Sequence, residues 1–125
     1  MRLPAMLTTA GCLLALAGTS RAAQIASPTI FGAFFQQVAQ CTIGNVGKTP
    51  VSVTVNIVDE QGNVVSTNSH CGIIEPNFLC QVSALSISTD AALACTATTP
   101  GSAAKLRGNF ALLAGGLPIR SAELR

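Results

Sequence analysis

The chain contains no tryptophan and no tyrosine, and its only aromatic rings are five phenylalanines. Sugar-binding sandwiches stack the pyranose on exposed Trp or Tyr, and protein–protein hot spots favour the same side chains. Both kinds of site therefore lack their usual anchors. Histidine occurs once, as His70, which leaves any nucleophile–base–orienter arrangement a single candidate base. No G-x-S-x-G is present and nothing marks a partner serine. Charged residues make up only 10% of the chain, too few for the basic footprint of a nucleic-acid binder. An amphipathic helix of useful length is also missing; Asp90-Ala91-Ala92-Leu93 could nucleate one short helical turn at most.

A long uncharged run does occur, at the start. Met1-Arg2 is followed by an apolar stretch through Leu13-Leu14-Ala15-Leu16-Ala17-Gly18, then by Thr19-Ser20-Arg21-Ala22-Ala23. One early cation, an apolar segment and a run of small residues are the three parts of a secretory signal. Ser20-Arg21-Ala22 puts small side chains at the positions a signal peptidase reads, so the expected cut follows Ala22, with Ala23 as the next choice. A spanning helix needs about 20 apolar residues, and this stretch is shorter and ends in Arg21. Thr9-Ala10-Gly11-Cys12 has some likeness to a lipobox. Thr9 replaces the usual Leu, however, and Cys12 lies within the apolar stretch.

With residues 1–22 removed from 125, 103 remain, enough for one domain. The precursor's net charge of +2 disappears, because Arg2 and Arg21 leave with the signal. Lys48, Lys105, Arg107, Arg120 and Arg125 then balance Asp59, Glu60, Glu75, Asp90 and Glu123. A neutral chain with scattered charges is expected to show no electrostatic footprint for nucleic acid or anionic lipid. Four cysteines survive, Cys41, Cys71, Cys80 and Cys95, and an even number in a small exported domain reads as two disulfides. Their spacing leaves all three connectivities open.

Val51-Ser52-Val53-Thr54-Val55-Asn56-Ile57 alternates strictly, which predicts a strand with Val51, Val53, Val55 and Ile57 on a buried face. Asp59-Glu60-Gln61-Gly62-Asn63 turns the chain into Val64–Thr67, completing a hairpin. Val38–Ile43, Leu93–Thr98 and Leu106–Leu112 read as further strands, and Thr29–Phe35 as an initial one. Ile73-Ile74 and Phe78–Val82 flank Glu75-Pro76-Asn77, where Pro presets φ and Asn tolerates the next position, predicting a second hairpin. Gly115-Gly116 and the polar end to Arg125 read as a loose tail, residues 115–125. The expected fold class is all-β: an antiparallel β-sandwich of about seven strands over residues 23–114, stabilised by disulfides and preceded by a cleaved signal helix.

Cys41-Thr42-Ile43-Gly44-Asn45-Val46-Gly47-Lys48-Thr49-Pro50-Val51 resembles the strand, N-x-G turn and Pro-Val strand signature of bacterial extracellular immunoglobulin-like domains. Glu75-Pro76-Asn77 is similar to their Pro-Gly turn, with Asn77 in place of Gly. The resemblance covers residues 38–112 and implies an exported or surface sandwich, with no common activity. It also places Cys41 on the second strand and Cys95 on the sixth, in opposite sheets, where immunoglobulin domains carry their inter-sheet bridge. Cys41–Cys95 with Cys71–Cys80 is the implied pairing. A regular hairpin at Pro76-Asn77 would set Cys80 opposite Ile73, so the second bridge requires an irregular start near Gly72.

Candidate chemistry is thin. His70 beside Cys71 could form a thiol–imidazole pair, but oxidation removes the thiolate and leaves a loop histidine next to a half-cystine. His70, Cys71, Cys80 and Cys95 lack the close C-x₂₋₄-C pairs of a structural zinc site. Asp59–Asn63 gathers oxygen ligands around a Gly without the twelve-residue calcium pattern, and turn chemistry accounts for it. Asp59 or Glu60 with Glu75 or Asp90 as a glycosidase pair has no cleft to support it. Phe78 and Phe110 fit inward positions, whereas Ile30, Phe31, Phe34 and Phe35 could pack on the sandwich or contact a partner.

These readings lead to an exported, non-enzymatic structural or binding domain of the cell envelope or secreted fraction. No catalytic, cofactor or metal residues are assigned, and the partner is an unidentified protein or envelope component. No nucleic acid and no membrane span are expected after signal cleavage. Two other classes remain: a fimbrial-type or adhesin subunit offering Ile30–Phe35 for strand addition, and a small hydrolase or metal-dependent enzyme using His70.

Overall fold

A computed structural model describes residues 21–31, 38–85, 87 and 91–125. The strands are β1 (Ala23–Ala26), β2 (Ile30–Phe31), β3 (Val38–Asn45), β4 (Val51–Ser52), β5 (Thr54–Asp59), β6 (Val64–Thr67), β7 (Ile73–Ile74), β8 (Leu79–Leu85), β9 (Ala92–Thr99), β10 (Leu106–Ala114) and β11 (Leu117–Leu124). Single 3₁₀ turns occupy Ser69–Cys71 and Ala103–Lys105. All pairings among these strands are antiparallel.

One sheet runs β1-β9-β5-β6, with β2 also on β9; the other runs β11-β10-β3-β8; β4 and β7 form a short third pair. The alternation over residues 51–57 does what its period predicts: Val53, Val55 and Ile57 are buried, while Ser52 and Thr54 are exposed. Ala39, Cys41 and Ile43 of β3, Leu106, Phe110 and Leu112 of β10, and Leu93, Cys95 and Ala97 of β9 complete the core between the sheets. The expected single strand is broken at Val53, whose N–H donates to Gly72 O, so β4 and β5 are separate pieces of one extended run.

Three expectations are corrected. Ile73-Ile74 does not form a hairpin with the strand after Pro76: β7 pairs β4, whereas β8 pairs β3 in the other sheet. The Pro76-Asn77 turn still has its expected chemistry, with Asn77 at φ 63° and Phe78 N–H donating to Glu75 O, but it carries the chain between sheets. Phe78 therefore lies in the turn, 65% exposed, and not in the core. The loose tail is instead β11. Gly115 and Gly116, at φ 58° and 80°, form a two-residue hairpin loop that turns the chain back along β10. Pro118 is tolerated because β11 lies at the sheet edge and pairs only β10 along its length.

The sheets are joined at both sides. Ala26 and Arg125 exchange two backbone hydrogen bonds, linking β1 to the end of β11. Opposite, Ser66 Oγ donates to Ser83 O and Asn68 Nδ2 to Gln81 O, so side chains beside β6 occupy carbonyls of β8. Edges tied in this way offer fewer open backbone groups to another strand. In an immunoglobulin sandwich the strand that follows the second bridging-cysteine strand pairs with it. Here β10 leaves β9 and pairs β3, and β1 fills the place beside β9.

Candidate functional site

The cysteines are placed by the strongest local patterns in the chain. Cys41 sits mid-β3, opposite Phe110 and Val82 of its neighbours, and Cys95 sits on β9 opposite Ile57. Both point into the core, fully buried, and bridge the two sheets with a Cα–Cα distance of 5.9 Å. Cys71 and Cys80 form the second pair at a Cα–Cα distance of 5.5 Å. The register difficulty is removed by the 3₁₀ turn at Ser69–Cys71, closed by Gly72, and by the absence of a β7–β8 ladder. All four disulfide residues thus pair as the immunoglobulin resemblance implied.

That pairing settles two chemical readings. Cys71 is bonded to Cys80 and so has no thiol to offer the adjacent imidazole. The zinc set fails too, because Cys95 is joined to Cys41, away from Cys71 and Cys80. His70 is exposed in the 3₁₀ turn, its backbone N–H held by Asn68 Oδ1 at 3.0 Å. Among the described residues, no group of three or more His, Cys, Asp or Glu side chains is gathered that could hold a metal ion.

The Asp59 turn is a capped hairpin. Asp59 Oδ1 accepts from the N–H groups of Gln61 and Asn63 at 3.0 and 2.8 Å, and Oδ2 from Asn63 Nδ2 at 2.9 Å. Gly62, at φ 84°, supplies the left-handed position such a loop requires. The carboxylate oxygens face N–H donors, and those bonds, led by the Asn63 side chain, hold the Asp59 carboxyl below its ordinary range. Glu75 is in the Pro76 turn at the other end of the sandwich, so it does not pair with Asp59 or Glu60; Asp90 lies outside the described residues.

No family model matches this chain, nor does any curated protein or solved structure. Function therefore has to be read from the chain's own surfaces.

Of the four candidate partner-contact residues, two are described. Ile30 is buried and pairs Leu93 of its own chain, while Phe31 is exposed; Phe34 and Phe35 lie outside the described residues. A groove of about 440 Å³ lies at the β1–β11 corner, lined by Ile25, Ala103, Leu106, Arg107, Glu123 and Leu124 among others. Its lining brings the charged Arg107, Glu123 and Arg125 beside apolar Ile25, Leu106 and Leu124.

Two features escape sequence reading. Asn45, in the N-x-G stretch, is fully buried with every side-chain atom used: Nδ2 donates to Thr49 O and Ile74 O, and Oδ1 accepts from Gly47 N–H. Around it, at one pole of the sandwich, Val46, Phe78 and Leu79 stand exposed beside Lys105 and Arg107. Nothing local signals that cluster, because its members are separated by about 30 to 60 positions along the chain and only the sheet pairing joins them.

Proposed function

We propose that the protein is an exported, non-enzymatic structural or binding domain of the cell envelope or secreted fraction, built on a variant immunoglobulin-like sandwich. The observation that carries this reading is the pair of intramolecular disulfides, one of them buried between the sheets. Such bonds persist in oxidising compartments and are rare where thiols are kept reduced. The inter-sheet position of Cys41–Cys95 supports the immunoglobulin likeness, and the exchange of places by β1 and β10 makes it a variant.

The position of β1 supports the processing site. Its first residue is Ala23, paired with Thr99, so a cut after Ala22 leaves the strand whole. No helix among the described residues is long and apolar enough to cross a membrane.

The test is the intact mass of the native protein from fractionated cells, with and without reduction and alkylation. A species beginning at Ala23, extracytoplasmic, with thiols that react only after reduction, is the expected result. A full-length mass in the cytoplasmic fraction, or four free thiols, overturns the proposal.

A further inference from the structure

The two disulfides have unlike surroundings. Cys41 and Cys95 are fully buried between the sheets, and their cross-strand neighbours Phe110, Val82 and Ile57 are buried with them. An external thiol reaches that bond only when the sandwich opens. Cys71–Cys80 lies at the margin of the core. Cys71 is buried, but Cys80 is half-buried at the start of β8, and the residues flanking the two cysteines, His70, Gly72, Leu79 and Gln81, are all exposed. A Cβ added at Gly72 would meet only Ser69 O within 4 Å, at 3.5 Å, so the space beside this bridge is open.

The backbone around Cys71 is also held without the sulfur–sulfur bond. Asn68 Nδ2 donates to Gln81 O, Val53 N–H to Gly72 O and Asn45 Nδ2 to Ile74 O, so the chain is fixed on both sides of the cysteine. Cys71 Sγ lies 4.0 Å from Gln81 O, which can accept the thiol proton once the bond is open. The loop closed by this bridge spans 9 positions against 54 for the other, so less chain freedom returns when it opens.

We propose that Cys80 is a thiol-exchange site, through which an external dithiol opens Cys71–Cys80 in the folded domain while Cys41–Cys95 stays closed. A thiolate of the dithiol attacks Cys80 Sγ, the more accessible sulfur, forming a mixed disulfide and breaking the bond to Cys71. Cys71 Sγ leaves as a thiolate and takes a proton. The second thiol of the dithiol then attacks its own sulfur in the mixed disulfide and releases Cys80. Two electrons and two protons pass to the protein, and the dithiol becomes a disulfide. Opening removes the covalent tie between the Ser69–Cys71 turn and β8, leaving hydrogen bonds to hold it, so local opening there follows redox state. The inference depends on the bridge and not on the compartment assigned above.

The test treats the disulfide-bonded protein with dithiothreitol in the absence of denaturant. Free thiols are then blocked with N-ethylmaleimide and located by intact mass and peptide mapping. Adducts are expected on Cys71 and Cys80, with a cooperative melt retained. Cys41 and Cys95 should react at least about a hundredfold more slowly, because exposing them requires unfolding, and urea should abolish that difference. Hydrogen exchange at the Ser69–Gly72 amides should rise on reduction while that of β3 and β10 is unchanged. Glutathione, a monothiol, should be found on Cys80, with maleimide on Cys71. A Cys71→Ala/Cys80→Ala variant should melt cooperatively and take up no label at Cys41 or Cys95 under the same conditions. Equal reactivity of both bridges, no reaction without urea, or loss of the melt on opening overturns the inference, as does glutathione on Cys71 in place of Cys80.

Discussion

The side-chain amide of Asn45 donates to the carbonyl oxygen of Ile74, 2.9 Å away and 29 residues further along the chain. A second bond from the same nitrogen reaches Thr49 O at 2.8 Å. These two bonds hold the β3–β4 loop against β7 in a site with almost no water access. Asn45→Ala should cost about 2–4 kcal/mol, because two carbonyls lose their donor and a polar site is left empty. Urea unfolding with both disulfides intact measures it. A change below about 0.5 kcal/mol, the level of an ordinary surface substitution, would show that the amide is not structural.

The two bridges should differ in worth. Cys41–Cys95 spans 54 positions and Cys71–Cys80 spans 9. In the chain-entropy model the longer loop contributes about 4 kcal/mol and the shorter about 2.5 kcal/mol. Replacing Cys41 and Cys95 together by Ala should therefore destabilise more than replacing Cys71 and Cys80. Denaturant midpoints of the two double variants check the order.

A strand stands where a tail was expected, and that has a direct consequence. Removing residues 117–125 strips β11 from β10 and takes away Leu124, which is buried against the core. Circular dichroism should show a severely destabilised or unfolded product, whereas loss of a loose tail would leave the melt unchanged. Gly116→Ala should cost about 1 kcal/mol, since a Cβ is strained at φ 80°.

Phe110 and Phe78 make a matched pair of tests. Phe110 is fully buried and Phe78 is 65% exposed. Phe110→Ala should destabilise by about 3–5 kcal/mol, and Phe78→Ala should stay within about 0.5 kcal/mol. Comparable losses at both positions would mean that Phe78 belongs to the core after all.

Asp59 gives a pH dependence of known sign. Asn63, through its side chain and backbone, and the Gln61 N–H favour the ionised form, so the folded carboxyl titrates below its unfolded value of about 3.9. Its contribution is complete above the unfolded value and is lost as pH falls through the folded one. The melting advantage of wild type over Asp59→Asn should hold near neutrality and vanish in strong acid. NMR titration of the Gln61 and Asn63 amides should report an apparent pKa below the ordinary carboxylate value; one at or above it refutes the cap.

Much of this molecule was legible without coordinates. Residues 51–57 bury the face their alternation chose, Gly62 and Asn77 take the positive φ their turns demand, and the cysteines pair as the resemblance implied. These are local matters of period and turn chemistry, which a short window of sequence contains. Which strand lies beside which is a different kind of fact. The Pro76 turn has the same residues whether it closes a hairpin or crosses between sheets, and only long-range packing against β3 and β4 chose the crossing. β11 was missed because an edge strand is mostly exposed, and only Ala122 and Leu124 carry its inward pattern. Its Gly115-Gly116 loop was the one local sign. The pole around Asn45 exists only once three distant segments are hydrogen-bonded together. Composition reports how many charges there are, and tertiary contacts decide which of them share a surface.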